Sequence, residues 1–423
     1  MANRIYFANQ QIAFRRDNST TYTVAHGVQS AAVTTTFNLE QAFELGQLAI
    51  YENIEGVPDI EISLTKVLDG YPLLYHLATD DDGTLVTGPS LAGRSNGKCL
   101  VTLGIWPDSE DAAGDATTTP ITQMEASGMF ASSISYNFPL EDNFTEDVTV
   151  VGNNKAWYNT SDVQNIVGDK ACASPTWSGL VASGGFSGNS DGPKATGVNT
   201  PWGPTGVEGI GEVSQNGGVN RRENLYFSPT TEKLIAPATG FDYTRLPAQI
   251  PSVDTNGWIN TRADGNEAHV QSITVSCDLG REELFELGTR QPYARVVTFP
   301  IEVTCDIEML SLSGDLINAL ADGCVAGTDP CTDIQDNLSN EVIRIATCEG
   351  TRIYLGNKNK LASINYGGGD AGGGNVTVTY SYTTFNDFTV LHPQDPTSQS
   401  SGWWETRSGY LQTLDSAGAL VAG

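Results

Sequence analysis

Residues 28–46, from Val28-Gln29-Ser30 to Phe43-Glu44-Leu45-Gly46, recur at 270–288 as Val270-Gln271-Ser272 to Phe285-Glu286-Leu287-Gly288. Aligned without a gap, nine of the nineteen positions are identical. At average residue usage, unrelated segments of that length share roughly one. A chain of 423 residues that carries the same stretch twice reads as a duplication, and it is long enough for two ordinary domains.

Other segments extend the match. Arg4-Ile5-Tyr6-Phe7, with Ile12-Ala13-Phe14 as a return strand, has a cognate in Asn224-Leu225-Tyr226-Phe227. In the repeated stretch, Val28 to Phe37 and Val270 to Cys277 are β-branched and partly alternating, as in a half-buried strand. Leu39, Ala42 and Phe43 fall at helical spacing, as do Leu284 and Leu287. Asn38 and Asp278 are residues that cap a helix start, and Gly46 and Gly288 suit a left-handed stop. The expectation is a strand and then a two-turn helix in each copy.

Val57-Pro58-Asp59-Ile60-Glu61-Ile62 and Phe299-Pro300-Ile301-Glu302-Val303 then read as matched strands after a proline. Leu73, Leu74 and Leu77 resemble Leu316, Ile317 and Leu320, a second short helix per copy. Cys99–Ile105 and Glu341–Ile345 are strands again. Each copy closes on Ile134–Phe138 followed by Asn143-Phe144-Thr145, matched to Val378–Tyr382 followed by Asp387-Phe388-Thr389.

The expected architecture is therefore mainly β (α+β): two tandem β-sandwich or barrel domains, 1–152 and 222–392, each with one or two short helices. Between them, 153–221 has the Gly/Ser/Asn/Pro composition of a linker. Trp157, Trp177 and Trp202 argue that it is held against another surface. A C-terminal extension, 393–423, carries Trp403-Trp404.

A net charge of −28 argues against binding nucleic acid by neutralising phosphates. The first fourteen residues lack a signal-peptide apolar core, and no stretch reaches the roughly 20 apolar residues of a membrane helix. Seven cysteines, an odd and sparse set, read as reduced thiols rather than a disulfide scaffold. Cys324 and Cys331 lie close enough in sequence to pair, but reduced spectators fit the expected compartment better.

Catalytic motifs are thin. His26, His76, His269 and His392 lack metal-ligand spacing. Gly367-Gly368-Gly369-Asp370-Ala371-Gly372 matches a dinucleotide pattern formally but runs into a strand, as a hairpin loop does. Asp80-Asp81-Asp82-Gly83 lacks the alternating ligands and distal glutamate of a calcium loop. No carboxylate pair stands out as acid and base. Neither catalysis nor a cofactor or metal is expected.

The strand–helix segment ending Phe285-Glu286-Leu287-Gly288, then Tyr293-Ala294-Arg295 and the strand Pro300-Ile301-Glu302-Val303, resembles the tail tube proteins of tailed bacteriophages. The first copy departs from this pattern around Glu52, where the second has Arg295. The resemblance implies a virion structural protein, assembled in the host cytoplasm into stacked trimeric, pseudo-sixfold rings around an inner β-barrel. The implied partners are further copies of the chain, tape-measure protein and double-stranded DNA in the lumen, and tail terminator and baseplate proteins. An acidic lumen would repel phosphates, with Glu61 and Glu302 as lumen candidates and Asp306 and Glu308 as equal contenders. Phe43, Phe285, Glu52 and Arg295 are the expected contact residues between domains or subunits. The competing readings are another virion component (neck, baseplate, sheath or capsid-decorating protein), a carbohydrate-binding module using Trp177, Trp202, Trp258 and Trp403-Trp404, and, last, a glycan hydrolase.

Overall fold

The computed structural model describes residues 4–17, 23–46, 48–69, 71–79, 91–105, 122–159, 219–225, 244–251, 253, 269–289, 292–311, 314, 317, 339–347, 351–367 and 374–392. In chain order the elements are β1 (Gln10–Arg16), β2 (Thr23–Val24), β3 (Val28–Thr36), β4 (Leu39–Phe43), β5 (Ile50–Glu55), β6 (Asp59–Val67), α1 (Leu74–Ala78), α2 (Leu91–Arg94), β7 (Lys98–Ile105), β8 (Thr122–Pro139), β9 (Thr145–Gly152) and β10 (Asn154–Asn159). They continue with β11 (Val270–Asp278), β12 (Arg281–Leu284), β13 (Ala294–Val297), β14 (Glu302–Leu310), β15 (Arg344–Ala346), β16 (Arg352–Tyr354), β17 (Lys360–Gly367), β18 (Thr377–Phe385) and β19 (Thr389–Leu391). The fold is mainly β, and every strand pair is antiparallel.

One sheet organises the molecule. Its spine runs β3-β6-β9-β8-β11-β14-β18-β17. The 18-residue β8 is the branch point: its first half pairs with β7 and β10, its second half with β9 and β11. Strict alternation assigns the faces. Ile60, Ile62 and Leu64 of β6, Ile273, Val275 and Cys277 of β11, and Val303, Cys305 and Ile307 of β14 are buried. Their odd neighbours, including Asp59, Glu61, Glu302 and Thr304, turn to the other face, as a period of two requires.

The spine consists of two blocks with one plan. β3-β6-β9-β8 and β11-β14-β18-β17 share strand order, antiparallel register and two irregularities. The first lies between Val28 and Ser30 against β6, and between Val270 and Ser272 against β14. The second lies between Ala131 and Ser133 against β9, and between Leu361 and Ser363 against β18. Register then equates Asp59 with Glu302 and Tyr136 with Tyr366.

This corrects two expectations. The matched closing pairs are not as read: Val378–Tyr382 lies in β18, which takes the place of β9, while β17 takes the place of β8. β19 leaves the spine and pairs with β16. The helices expected at Leu39–Leu45 and Leu284–Leu287 are also absent. β4 pairs with β5 and β12 with β13, so both copies of the repeat are strand–hairpin units. A two-turn helix is marginal unless its apolar stripe is buried. Here Leu39, Phe43 and Leu45 are exposed in the chain, and cross-strand pairing satisfies the backbone instead. Gly46 and Gly288 do adopt left-handed backbone (φ 96° and 94°), but in hairpin loops. Asn38 caps nothing; its amide donates to the Val57 carbonyl and to Asp59.

α1 is the expected second helix of the first copy. Leu316 and Leu320, its expected cognates, lie outside the described residues, as do most of 153–221 and all of 393–423. α1 is wholly buried. It joins the halves of the chain: His76 Nε2 lies 3.1 Å from the Val390 carbonyl, and the rings of Tyr75 and Phe388 are 6.1 Å apart. Below it, Glu146 is fully buried and accepts from the Leu74 and Tyr75 amides and the Tyr136 hydroxyl. Burial pushes its carboxyl above the usual carboxylate range, and those three donors oppose that rise.

Candidate assembly interface

The junction of the two blocks shows what this sheet does when an edge is filled. β8 and β11 pair from Ser133↔Asp278 to Pro139↔Ser272, with Tyr136 opposite Val275 and Ile134 opposite Cys277. Tyr136 and Ile134 are 0% and 1% exposed. At the bulge of β8, the Leu279 amide donates to the Ser132 carbonyl at 2.8 Å, and Leu279 is 1% exposed.

The outer edges of the spine carry the same groups unfilled. β3, the counterpart of β11, pairs only with β6, and β17, the counterpart of β8, pairs only with β18 among the described residues. The residues correspond too: Ser133-Ile134-Ser135-Tyr136 in β8, Ser363-Ile364-Asn365-Tyr366 in β17; Val275 in β11, Val33 in β3. Yet Tyr366 is 49% exposed, and Phe37, the counterpart of Leu279, is 69% exposed. Unpaired edges with apolar residues are templates for another strand.

A charged latch reinforces the internal junction. From β12, Arg281 Nε donates to the Ala131 carbonyl at 2.7 Å, and its guanidinium lies 5.2 Å from the centre of the Phe130 ring. Burial lowers the Arg281 pKa to about 10, against a nearby Tyr75 that raises it. Arg295 from β13 bonds Asn153 at 3.2 Å and Asp59 at 3.1 Å and pairs with Glu283. The counterpart of Arg295 in the β4–β5 hairpin is Asn53, next to Glu52, which is exposed opposite Ala42. Phe43 and Phe285 are both exposed near the hairpin ends.

Glu61 and Glu302 lie on one face of the spine, exposed, with Asp59, Asp147, Asp306 and Glu308. Hydroxyls hold that face in order: Thr65 donates to Asp147, Ser272 to Glu308, and Ser276 and Thr304 share a bond of 2.6 Å. Sequence reasoning offered Glu61, Glu302, Asp306 and Glu308 as lumen candidates and did not consider the edge residues. The Ser-Ile-x-Tyr pattern shared by β8 and β17 was the available signal.

Little else invites chemistry. Among the described residues no group of His, Cys, Asp and Glu is placed to hold a metal. His26 stacks on Tyr71 at 3.8 Å, and burial lowers its pKa although Asp69 opposes this. Cys99, Cys277 and Cys305 are buried free thiols; Cys172, Cys324, Cys331 and Cys348 lie outside the described residues. So do Trp177, Trp202, Trp258, Trp403 and Trp404, Asp80–Gly83, and all of Gly367–Gly372 except Gly367, which ends β17. No described helix is long and apolar enough to cross a membrane.

No protein-family model and no curated protein matches the chain. Several solved structures do. A baseplate chain of the anti-feeding prophage, from a sixfold-symmetrised structure, is 10% identical over 38% of this chain and 98% of its own, with a TM-score of 0.28. A chain from the tube-terminating cap of the same particle is 11% identical over 38% and 93%, TM-score 0.27. A chain from the sheath–tube complex of an extracellular contractile injection system is 11% identical over 37% and 92%, TM-score 0.25. These neighbours are components of tail-like injection particles; with scores this low, the strand edges and not the neighbours carry the functional argument.

Proposed function

We propose that this chain is a structural subunit of a phage tail tube, in which copies add head to tail through their sheet edges. The observation that carries this reading is the recurrence of the internal β8·β11 junction in the free edges β17 and β3. Transferring the junction's register places Tyr366 opposite Val33 of the next copy, Asn365 opposite Thr34 and Ile364 opposite Thr35. A head-to-tail contact closes into a ring when its rotation permits. The tail-tube resemblance supports three chains per ring. Eight spine strands per chain then give a 24-stranded pseudo-sixfold barrel. At about 4.8 Å per strand and a tilt of about 40°, its backbone diameter is about 50 Å, wide enough for a DNA duplex.

The acidic, hydroxyl-lined face carrying Glu61 and Glu302 is assigned to the lumen. Carboxylates there repel phosphates, so double-stranded DNA passes without sticking during ejection, after the tape-measure protein has left. The exposed hairpin ends, with Phe43 and Phe285, are left for stacked rings or for terminator and baseplate proteins.

The test is a pair of cysteine substitutions. Thr34→Cys with Asn365→Cys should cross-link between chains on mild oxidation and trap closed species of three chains. The control, Ser135→Cys with Ser276→Cys, should cross-link only within a chain. Electron microscopy of the trapped species should show hollow rings or filaments. Edges that never cross-link between chains at concentrations where the protein associates would refute the reading.

A further inference from the structure

The outer edges are not chemical copies of the internal junction. Register carries each part of the internal latch to a position at the outer edges. Leu279 corresponds to Phe37, Arg281 to Leu39, Phe130 to Lys360, and the Ser132 carbonyl at the bulge to that of Ala362. Inside the chain, therefore, an arginine stacks on a phenylalanine. At the outer edges a leucine would meet the stem of a lysine. Arg295, which bridges Asp59, Asn153 and Glu283 internally, corresponds to Asn53, and those partners to Glu302, Phe385 and Gln41. Register puts Asn53 where Arg295 stands, so that cluster is not repeated among the described residues.

We propose that the β4–β5 hairpin is an apolar latch for a second copy of this chain. Phe37 and Leu39 close over the β17 bulge, between Leu361 and Ser363, of the neighbouring copy. The proposal rests on the head-to-tail reading above and adds to it a specific chemistry. The joint between chains is apolar where the joint within the chain is ionic. Phe37 and Leu39 are 69% and 58% exposed in the isolated chain, and an open cleft lined by Phe37, Leu39, Val57 and Pro58, together with Asn38 and Glu55, lies at the hairpin base. The filled counterpart, Leu279, is buried to 1% by β8. The lysine stem can lie along the leucine. An arginine at position 39 would put a charge where the leucine is to be buried.

Ring formation by the full chain, followed by mass photometry, tests this. Phe37→Ser with Leu39→Ser should lower the chain association constant by at least about tenfold, since both side chains lose their burial. Leu39→Arg should weaken association similarly, and adding Lys360→Phe should restore it by recreating the internal arginine–phenylalanine pair. Wild-type rings should persist from about 0.1 M to about 1 M salt, where screening shortens from about 10 Å to about 3 Å. Thermal unfolding of the dilute chain should not change in any variant, which separates a lost joint from a lost fold. Rings that form normally with Phe37→Ser and Leu39→Ser, or that dissolve in salt, overturn the latch and leave the strand joint standing. A failure of Lys360→Phe to rescue Leu39→Arg also overturns it. Wild-type chains that never associate overturn both readings.

Discussion

Tyr366→Ala offers the sharpest measure of the edge argument, because the chain contains its own reference. Tyr136 occupies the equivalent register position in the filled junction and is 0% exposed, whereas Tyr366 is 49% exposed at the free edge. Filling the edge removes about half of a tyrosine's surface from water, on the order of 100 Å². At about 25 cal/mol per Å² this contributes about 2.5 kcal/mol per joint, or roughly 70-fold in association constant. The proposed ring with three such joints loses about three times that free energy, so association should weaken steeply relative to wild type. Sedimentation velocity across a concentration series reads the change directly. The same substitution should leave the isolated chain's unfolding nearly unchanged. Tyr136→Ala, by contrast, removes a buried ring and should destabilise the fold by about 3–5 kcal/mol. If Tyr366→Ala assembles like wild type, β17 is not the joining edge.

Two further outcomes concern the support beneath the sheet. Lys66 is fully buried and ion-paired with Asp69, so Asp69→Ala strands an ammonium and should cost about 3–5 kcal/mol in urea unfolding. Lys66→Met with Asp69→Leu should recover most of the loss, since Met309 already fills the equivalent place in β14; a double variant as weak as the single one would refute this. For Glu146, burial raises the folded-state pKa above its unfolded value. Between the two values the folded chain holds more protons, so this contribution is fullest below the unfolded pKa and is lost as pH rises through the folded one. The urea midpoint of wild type relative to Glu146→Gln should therefore fall from about pH 4 to about pH 8, and a flat or rising difference would exclude the assignment.

Much of the fold was legible from residues alone. The mainly β class was readable, and period-two alternation in Ile60-Glu61-Ile62 and Val303-Thr304-Cys305 placed strands and their polar faces correctly. Those signals are local, since alternation follows from strand geometry whatever the neighbours are. Alternation likewise puts Glu61 and Glu302 on the polar face, although register pairs Glu302 with Asp59 and not with Glu61.

Tertiary structure decided what local spacing left open. Leu39, Ala42 and Phe43 fit a helix as well as a strand, and only the availability of residues 50–55 as a pairing partner settled a hairpin. Equal spacing from tyrosine to phenylalanine matched β8 to β18, but hydrogen-bond register matches it to β17, because pairing is fixed by neighbours far apart in sequence. Sequence by itself determined the mainly β class, the alternating faces and the acidity, and raised the duplication as an expectation. The three-dimensional arrangement determined that the blocks join edge to edge, and that the residue pattern of the joint reappears at the two outer edges. A repeat can be read along a chain. Which edges remain unfilled depends on long-range strand pairing, and that is visible only once the sheet is formed.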